Sequence, residues 1–192
     1  MKKAVFLDRD GTINEEMGYI NHASRFIIFD FVPEAIKILN DCGFLIFVVT
    51  NQSGIARGYF SEDLLISLHN SLIAKVEKYQ AKIDKIYYCP HHPKEGLQKY
   101  RIDCNCRKPK PGMIEQAKKE YSIDLENSYI IGDRYKDVQF GNNLGLKTIM
   151  VLTGYGLGEY TYQKNEWLTQ PDFICNNLLD AANVIKSFQD KS

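Results

Sequence analysis

Residues 4–12 read Ala-Val-Phe-Leu-Asp-Arg-Asp-Gly-Thr, an apolar run that ends in two carboxylates and a turn. Further short apolar runs follow at 45–49, 83–89, 129–131, 148–151 and 173–175, and amphipathic stretches lie between them. Strands that are apolar throughout and are separated by helices are typical of a parallel sheet covered on both faces. The sequence therefore predicts an α/β fold, a doubly wound, Rossmann-like parallel sheet.

The helical stretches have recognisable ends. Pro33 suits the first turn of a helix that buries Ala35, Ile38, Leu39 and Cys42 and stops at Gly43. Ser61 is the expected cap of a second helix, and Pro111 opens a third. Two more helices are expected at 136–144 and 178–188.

The composition is that of an ordinary globular protein. The chain has 192 residues, of which 44% are hydrophobic and 25% charged, with 24 basic and 24 acidic side chains. This length suits a single domain over 1–192, and the charge balance gives no electrostatic reason to expect nucleic-acid or membrane binding. No apolar run is long enough to span a bilayer, and no secretory signal follows Met1. We expect a cytoplasmic monomer.

Polar segments follow four of the predicted strands or loops in chain order. They are Asp8-Arg9-Asp10-Gly11-Thr12, Thr50-Asn51-Gln52-Ser53-Gly54, Arg107-Lys108-Pro109 and Gly132-Asp133-Arg134-Tyr135-Lys136-Asp137. Each alone could be a turn. Ligands of open parallel sheets bind outside the carboxyl ends of the strands, so four such segments together predict a functional site there.

The residue types indicate phosphoryl transfer. Asp8 and Asp133 can share Mg²⁺ through oxygen ligands, which neutralises the repulsion between a carboxylate and a phosphomonoester. Asp8 is then the predicted nucleophile, which forms an acyl phosphate. Asp10 is the predicted general acid and base. The Thr50 hydroxyl, the Asn51 backbone amide and Lys108 are predicted to bind the equatorial phosphate oxygens.

A second metal site is predicted in the loop 89–106. Three thiols and one imidazole in two tight pairs match a structural tetrahedral Zn²⁺ site, with Cys89, His91, Cys104 and Cys106 as ligands. His92 is the competing nitrogen ligand. Because the loop leads directly into Arg107 and Lys108, zinc is expected to act by fixing the backbone that aims them.

The four segments resemble the motifs of haloacid dehalogenase superfamily phosphatases. The resemblance implies that Asp8 is the nucleophile, that the backbone carbonyl of Asp10 joins Asp8 and Asp133 as a magnesium ligand, and that Asp137 supports them. The Cys-x-His-His-Pro and Cys-x-Cys-Arg-Lys-Pro segments resemble the branch that contains heptose bisphosphate and histidinol-phosphate phosphatases. By that resemblance the substrate-binding residues are Glu16, Met17, Gly18, Tyr19, Asn51, Gln52, Ser53, Arg107 and Arg134.

Two substrate-site residues leave questions open. Arg134 stands where the resemblance implies a lysine, and it presents a planar fork instead of a point charge. Arg57 is a further cation within reach of a distal phosphate, with a solvated loop arginine as the alternative. No large cap domain is expected, so the segment 13–31 and the zinc loop should shape the entrance.

The function that this resemblance implies is removal of the 7-phosphate from D-glycero-D-manno-heptose 1,7-bisphosphate, in the biosynthesis of nucleotide-activated heptose for surface lipopolysaccharide. Because the histidinol-phosphate members of that branch have a shorter loop, the resemblance at the long gap between His91 and Cys104 favours a heptose bisphosphate, and histidinol phosphate stays the alternative substrate. A binding module with a zinc loop is a third interpretation, which the neutral charge balance disfavours. The segment 157–167, rich in Tyr and Gly, has no predicted role.

Overall fold

A computed structural model describes residues 1–190, and six strands form its sheet. They are β1 (Ala4–Leu7), β2 (Leu45–Asn51), β3 (Lys85–Cys89), β4 (Tyr129–Gly132), β5 (Lys147–Val151) and β6 (Phe173–Cys175). All neighbours are parallel, in the order β3-β2-β1-β4-β5-β6. The predicted doubly wound parallel sheet is confirmed.

Six helices connect or follow the strands. They are α1 (Val32–Asp41), α2 (Glu62–Glu77), α3 (Gly112–Glu120), α4 (Tyr135–Leu144), α5 (Gly156–Gln163) and α6 (Leu178–Gln189). Short 3₁₀ turns lie at Ala23–Arg25, Gln98–Tyr100 and Lys164–Glu166. Within residues 1–190, no helix combines the length and apolar character that a bilayer crossing requires.

Strand β1 shows how the two layers of the core arise. Successive side chains of a strand point to opposite faces. Val5 and Leu7 pack with helices α1, α2 and α6, whereas Ala4 and Phe6 pack with helices α3 and α4. All four side chains are fully buried, which explains why the run is apolar throughout.

The helix ends follow local chemistry. The Ser61 hydroxyl accepts a hydrogen bond from the Leu64 amide at 3.1 Å, which confirms the predicted cap of α2. In α1, Ile36 is fully buried and Ile38 only partly, so the inner face is turned slightly from the predicted one. Helix α5 was not predicted, because its Gly- and Tyr-rich sequence carries no clear apolar period.

The strand order determines where in the fold the functional segments lie. The sheet is built outward in both directions from the β1–β4 pair, so the chain reverses direction across the sheet at this point. Crevices at such reversals lie outside the carboxyl ends of the strands. Within the described part of the chain, loops rather than a large inserted cap surround this edge.

The close packing of α4 on the sheet can be tested by a substitution at Gly141. A Cβ at this position would lie 2.3 Å from Ile130 Cγ2 and 2.6 Å from Thr148 Cγ2. Because both neighbours are buried in the sheet, Gly141→Ala should lower the free energy of unfolding by about 1–3 kcal/mol, measured by urea denaturation. Gly158→Ala in α5 is the matched control, since a Cβ there meets nothing within 4 Å. Equal stability of the two variants would contradict this packing.

Candidate active site

Three carboxylates meet at the carboxyl ends of β1 and β4. Asp8 directly follows β1, Asp133 directly follows β4, and Asp137 lies in the first turn of α4. One oxygen of each lies within 4.8 Å of the others, and Asp133 and Asp137 are buried. Like charges this close repel one another strongly at low dielectric, so the cluster needs cations or protons.

Lys108 supplies one of the cations. Its buried ammonium lies 2.7 Å from Asp8 Oδ1 and 2.6 Å from Asp137 Oδ1. Asn51 holds the backbone of Lys108, because its side chain accepts from the Lys108 amide at 3.0 Å and donates to the Lys108 carbonyl at 3.1 Å. Burial alone would lower the pKa of Lys108, but Asp137 and Asp8 raise it. The side chain is therefore a permanent ammonium.

Asp133 is the carboxylate that the ammonium does not reach. Burial, together with the charges of Asp8 and Asp137, raises the pKa of Asp133 to about 9. Its Oδ2 accepts a hydrogen bond from the Tyr155 amide at 2.8 Å, while Oδ1 is buried without a partner. An orphaned carboxylate oxygen beside two further carboxylates fits a hard divalent cation, which prefers oxygen ligands.

Asp8 is subject to opposing effects on its pKa. Burial raises the pKa of Asp8 to about 7, against the lowering effect of the Lys108 charge and with a further raising effect from Asp137. A carboxylate poised in this way becomes ionised when a further cation arrives. The Asp8 side chain, which is 13% exposed, lines a cavity.

The side chain of Asp10 has hydrogen-bond partners outside this cluster. It accepts hydrogen bonds from Arg9 Nη2 at 2.7 Å, from Gln52 Nε2 at 2.8 Å and from Asn14 Nδ2 at 3.0 Å. Burial by itself would raise the pKa of Asp10, but the Arg9 charge and these donors lower it overall. Asp10 is therefore a separately held carboxylate at the same cavity.

Arg9 is a site residue for which the sequence did not predict a role. Its side chain is 1% exposed and stacks over the Phe26 ring at 5.4 Å. His69, on the inner face of α2, lies 3.3 Å from Arg9 Nη1. Burial, and then the Arg9 charge, lowers the pKa of His69 to about 3. A neutral His69 accepts from Arg9 and so helps to hold the partner of Asp10.

A cavity of about 200 Å³ opens over these groups. Of the predicted catalytic and substrate residues, the lining includes Asp8, Asp10, Thr50, Lys108, Glu16, Gly18, Asn51, Ser53, Arg107 and Arg134. Four predicted substrate residues do not line it, namely Met17, Tyr19, Gln52 and Arg57. The cavity is polar and carries cations at its rim.

The four residues outside the lining have other contacts. The Met17 carbonyl accepts a hydrogen bond from Arg25 Nη2 at 3.1 Å. Gln52 donates to Asp10 and to the Thr50 hydroxyl. The Tyr19 ring packs edge-on against Tyr59, with centroids 4.7 Å apart. Arg57 forms an ion pair with Glu95 and lies 3.3 Å from His92. Its partners therefore belong to the loop 89–106, and it does not line the cavity.

Lys136 lines the cavity but was not predicted as a site residue from the sequence. It is the exposed second residue of α4 and has no ion pair or hydrogen bond with another residue of the range 1–190. Its position between two predicted residues, Arg134 and Asp137, was the available signal. With Arg107 and Arg134 it makes a rim of three cations.

The predicted zinc ligands also come together. Potential ligand atoms of Cys89, His91, Cys104 and Cys106 lie within 4.8 Å of one another. The three sulfur atoms are 3.1–3.4 Å apart, and His91 Nδ1 lies 3.3 Å from Cys106 Sγ. His92 instead faces Arg57 and accepts from the amides of the 94–95 turn. Three thiols and one imidazole at these distances are compatible with zinc.

The Cys–His cluster is linked to the cavity through Arg107. Its guanidinium donates from Nη1 to the His91 carbonyl at 3.2 Å. Arg107 itself lines the cavity, next to Lys108. A bound metal at the cluster would thus hold the backbone on which both cations depend.

The raised pKa of Asp133 predicts a pH-dependent stability. At pH 8 the folded protein retains a proton on this carboxylate that the unfolded chain releases, and the cost grows as the pH rises from the ordinary value of 3.8 towards about 9. In magnesium-free buffer, Asp133→Asn should therefore stabilise the protein at pH 8 by on the order of 2 kcal/mol, and far less at pH 5.

Thermal melts across this pH range measure the effect. Asp30→Asn is the control, because it neutralises a fully exposed carboxylate. A gain for Asp133→Asn that is the same at both pH values would contradict the electrostatic origin.

The comparisons with known proteins agree with this geometry. Residues 105–181 match the family described as HAD-hydrolase-like. The chain is 42% identical over 190 residues to the D-glycero-beta-D-manno-heptose-1,7-bisphosphate 7-phosphatase of Pasteurella multocida, covering 98% of this chain and 100% of that one. It is 39% identical to the enzyme of the same name from Escherichia coli K12, covering 97% of this chain and 95% of that one.

A solved structure has the same fold. The D,D-heptose 1,7-bisphosphate phosphatase from B. bronchiseptica, in complex with magnesium and phosphate, superposes with a TM-score of 0.85 at 27% identity, over 99% of both chains. The fold, the carboxylate cluster and these relatives lead to one conclusion. The chain belongs to the haloacid dehalogenase-like hydrolase family and is a phosphoric monoester hydrolase.

Proposed function

We propose that this chain removes the 7-phosphate from D-glycero-β-D-manno-heptose 1,7-bisphosphate through a phospho-aspartate on Asp8. The observation that carries the proposal is the meeting of Asp8 with Lys108, Asp133 and Asp137 below a cation-rimmed cavity. The choice of substrate rests on relatives that are named for this activity and match nearly the whole chain.

In the first half-reaction an oxygen of Asp8 attacks the phosphorus, and the bond from phosphorus to the sugar oxygen breaks. Asp10 gives its proton to the departing sugar oxygen, which leaves as a hydroxyl. Lys108 and the Thr50 hydroxyl bind phosphoryl oxygens. Thr50 Oγ1 accepts from Gln52 at 2.8 Å, so its own hydrogen remains available for the phosphate.

In the second half-reaction a water attacks the phosphorus of the acyl phosphate. Asp10 takes the proton from this water, the bond between phosphorus and Asp8 breaks, and inorganic phosphate leaves. In the substrate-free site Arg9 lowers the pKa of Asp10, which favours the proton-accepting form. The negative charge of a bound substrate favours the protonated form that the first step needs.

Asp8, Asp133 and the backbone carbonyl of Asp10 are the proposed magnesium ligands, with Asp137 in support. Magnesium at this position would offset the negative charge that Asp8 and the phosphate bring together. The unpartnered Asp133 Oδ1 supports this choice. Lys108 holds Asp8 and Asp137 in place on the other side.

The second phosphate of the substrate is assigned to the rim. Arg107, Arg134 and Lys136 line the cavity, and Glu16 and Gly18 form a further part of its wall. An amide-to-carboxylate bond of 2.6 Å between Gly18 and Glu16 shapes that wall. Three cations suit a ligand with a second anionic group, which histidinol phosphate lacks. The rim therefore favours a bisphosphate.

Zinc on Cys89, His91, Cys104 and Cys106 is proposed as a structural metal. We further propose that the protein is a monomeric cytoplasmic enzyme and that residues 1–192 form a single domain. It serves the synthesis of nucleotide-activated heptose and acts without a nucleic-acid partner.

A substrate panel tests the proposed function. We expect the chain to release phosphate from the β-anomer of the heptose 1,7-bisphosphate with a kcat/KM at least tenfold above that for the α-anomer or histidinol phosphate, a difference of about 1.4 kcal/mol. Asp8→Asn should abolish turnover of every substrate and leave the fold intact, because the amide cannot form the acyl phosphate.

Asp30→Asn, which changes an exposed carboxylate, is the matched control and should retain full activity. A preference for histidinol phosphate would overturn the substrate assignment. Normal turnover by Asp8→Asn would overturn the mechanism.

Cys106→Ser tests the role of zinc. Loss of one thiolate should reduce the bound zinc and lower kcat/KM by about 10- to 100-fold, with most helical circular dichroism retained, since Arg107 and Lys108 lose their fixed backbone. Zinc content and phosphate release are measured together. Cys42→Ser, at a half-buried cysteine outside the cluster, should keep both. A zinc-free protein with normal turnover would refute the idea.

A further inference from the structure

The segment that had no role in the sequence is folded against the active site. Helix α5 spans Gly156–Gln163 and is followed by the 3₁₀ turn Lys164–Glu166. The Trp167 ring stacks on Tyr135, with centroids 4.7 Å apart and an interplanar angle of 5°. Trp167 is 9% exposed and packs with Val138 and Met150. The segment is thereby anchored to the start of α4.

Glu159 makes the polar contacts between this segment and the site. Its Oε1 accepts a hydrogen bond from Arg134 Nε at 3.0 Å, and its Oε2 accepts from the Tyr135 amide at 2.7 Å. The carboxylate is 11% exposed, so solvent screens the ion pair only in part. Because a backbone amide holds the second oxygen, the carboxylate is a fixed partner for the guanidinium.

The second contact of Arg134 is an aromatic face. Its Cζ lies 4.3 Å from the centroid of the Tyr155 ring. The Tyr155 amide also donates to Asp133 at 2.8 Å, so the same residue touches both neighbours at the end of β4. The plane and the Nε edge of the guanidinium are therefore both set by the segment 155–159.

This arrangement leaves the outer edge of the guanidinium unused. Arg134 lines the cavity, and its two Nη groups have no hydrogen-bond partner in the range 1–190. Two parallel N–H groups on that edge match two oxygens of a phosphate. A lysine at this position could not be oriented in the same way, because an ammonium has no plane.

We propose that Glu159 is a positioning residue that orients Arg134 to bind the second phosphate of the substrate. This inference rests on the proposed function, since it requires a bisphosphate. It assigns Glu159 to substrate recognition and not to the chemical step, because its carboxylate touches neither Asp8 nor Lys108.

The test compares two substrates with Glu159→Gln. For the heptose 1,7-bisphosphate, KM should rise roughly tenfold with kcat nearly unchanged, because an amide holds the guanidinium less firmly than a carboxylate. For p-nitrophenyl phosphate, which lacks a second phosphate, kcat/KM should stay at the wild-type value. In an Arg134→Ala background, Glu159→Gln should add no further increase in KM.

Glu166→Gln is the matched control, an equal charge change at an exposed position of the same segment that should alter neither substrate. Glu159→Asp keeps the charge and should recover part of the affinity. A loss that is equal for both substrates, or unfolding of Glu159→Gln at the assay temperature, would assign Glu159 to stability and overturn the proposal.

The outcome separates this inference from the proposed function. If the wild-type chain hydrolyses p-nitrophenyl phosphate but not the bisphosphate, the proposed function fails and the inference fails with it. If the wild type turns over the bisphosphate and Glu159→Gln leaves its KM unchanged, only the role of Glu159 is refuted.

Discussion

The active site depends on one buried ammonium, that of Lys108, placed between Asp8 and Asp137. Three carboxylates share this single positive charge, which leaves the equivalent of two negative charges in excess when all are ionised. Such an excess cannot be buried without protons or a divalent cation. In the substrate-free protein a proton on Asp133, whose pKa is raised to about 9, removes one of these charges, and the pKa of Asp8 is raised to about 7. The site is thus built around a charge deficit of the size that a divalent cation supplies.

The position of that ammonium is determined by residues far apart in the chain. Asn51 at the end of β2 holds the Lys108 backbone through two hydrogen bonds. On the other side, Arg107 is tied to the carbonyl of His91 within the Cys–His cluster. The loop therefore needs neither a strand nor a core of its own to place the ammonium 2.7 Å from Asp8 and 2.6 Å from Asp137.

Much of this could be predicted from the sequence, for physical reasons. The strands β1 and β6 match their predicted bounds. For β1 the reason is that a run buried on both faces has to be apolar. Asp8 and Asp133 were predictable as site residues because they directly follow the buried strands β1 and β4. Arg57 could not be placed, since its ion pair with Glu95 joins two loops whose approach no local pattern reveals. Helix α5 was missed for a similar reason, because its contacts with Arg134 and Tyr135 are tertiary and its own periodicity is weak.

Two glycines form the remaining walls around Asp133. A Cβ at Gly11 or at Gly154 would lie 2.2 Å from Asp133 Oδ2, and both residues have a positive φ that suits glycine. The carboxylate is thus enclosed by peptide backbone on two sides, where no side chain can be exchanged to adjust its chemistry. The rim, by contrast, is made of side chains alone. A substitution at the rim can therefore change which ligand is held there while the backbone that encloses Asp133 stays the same.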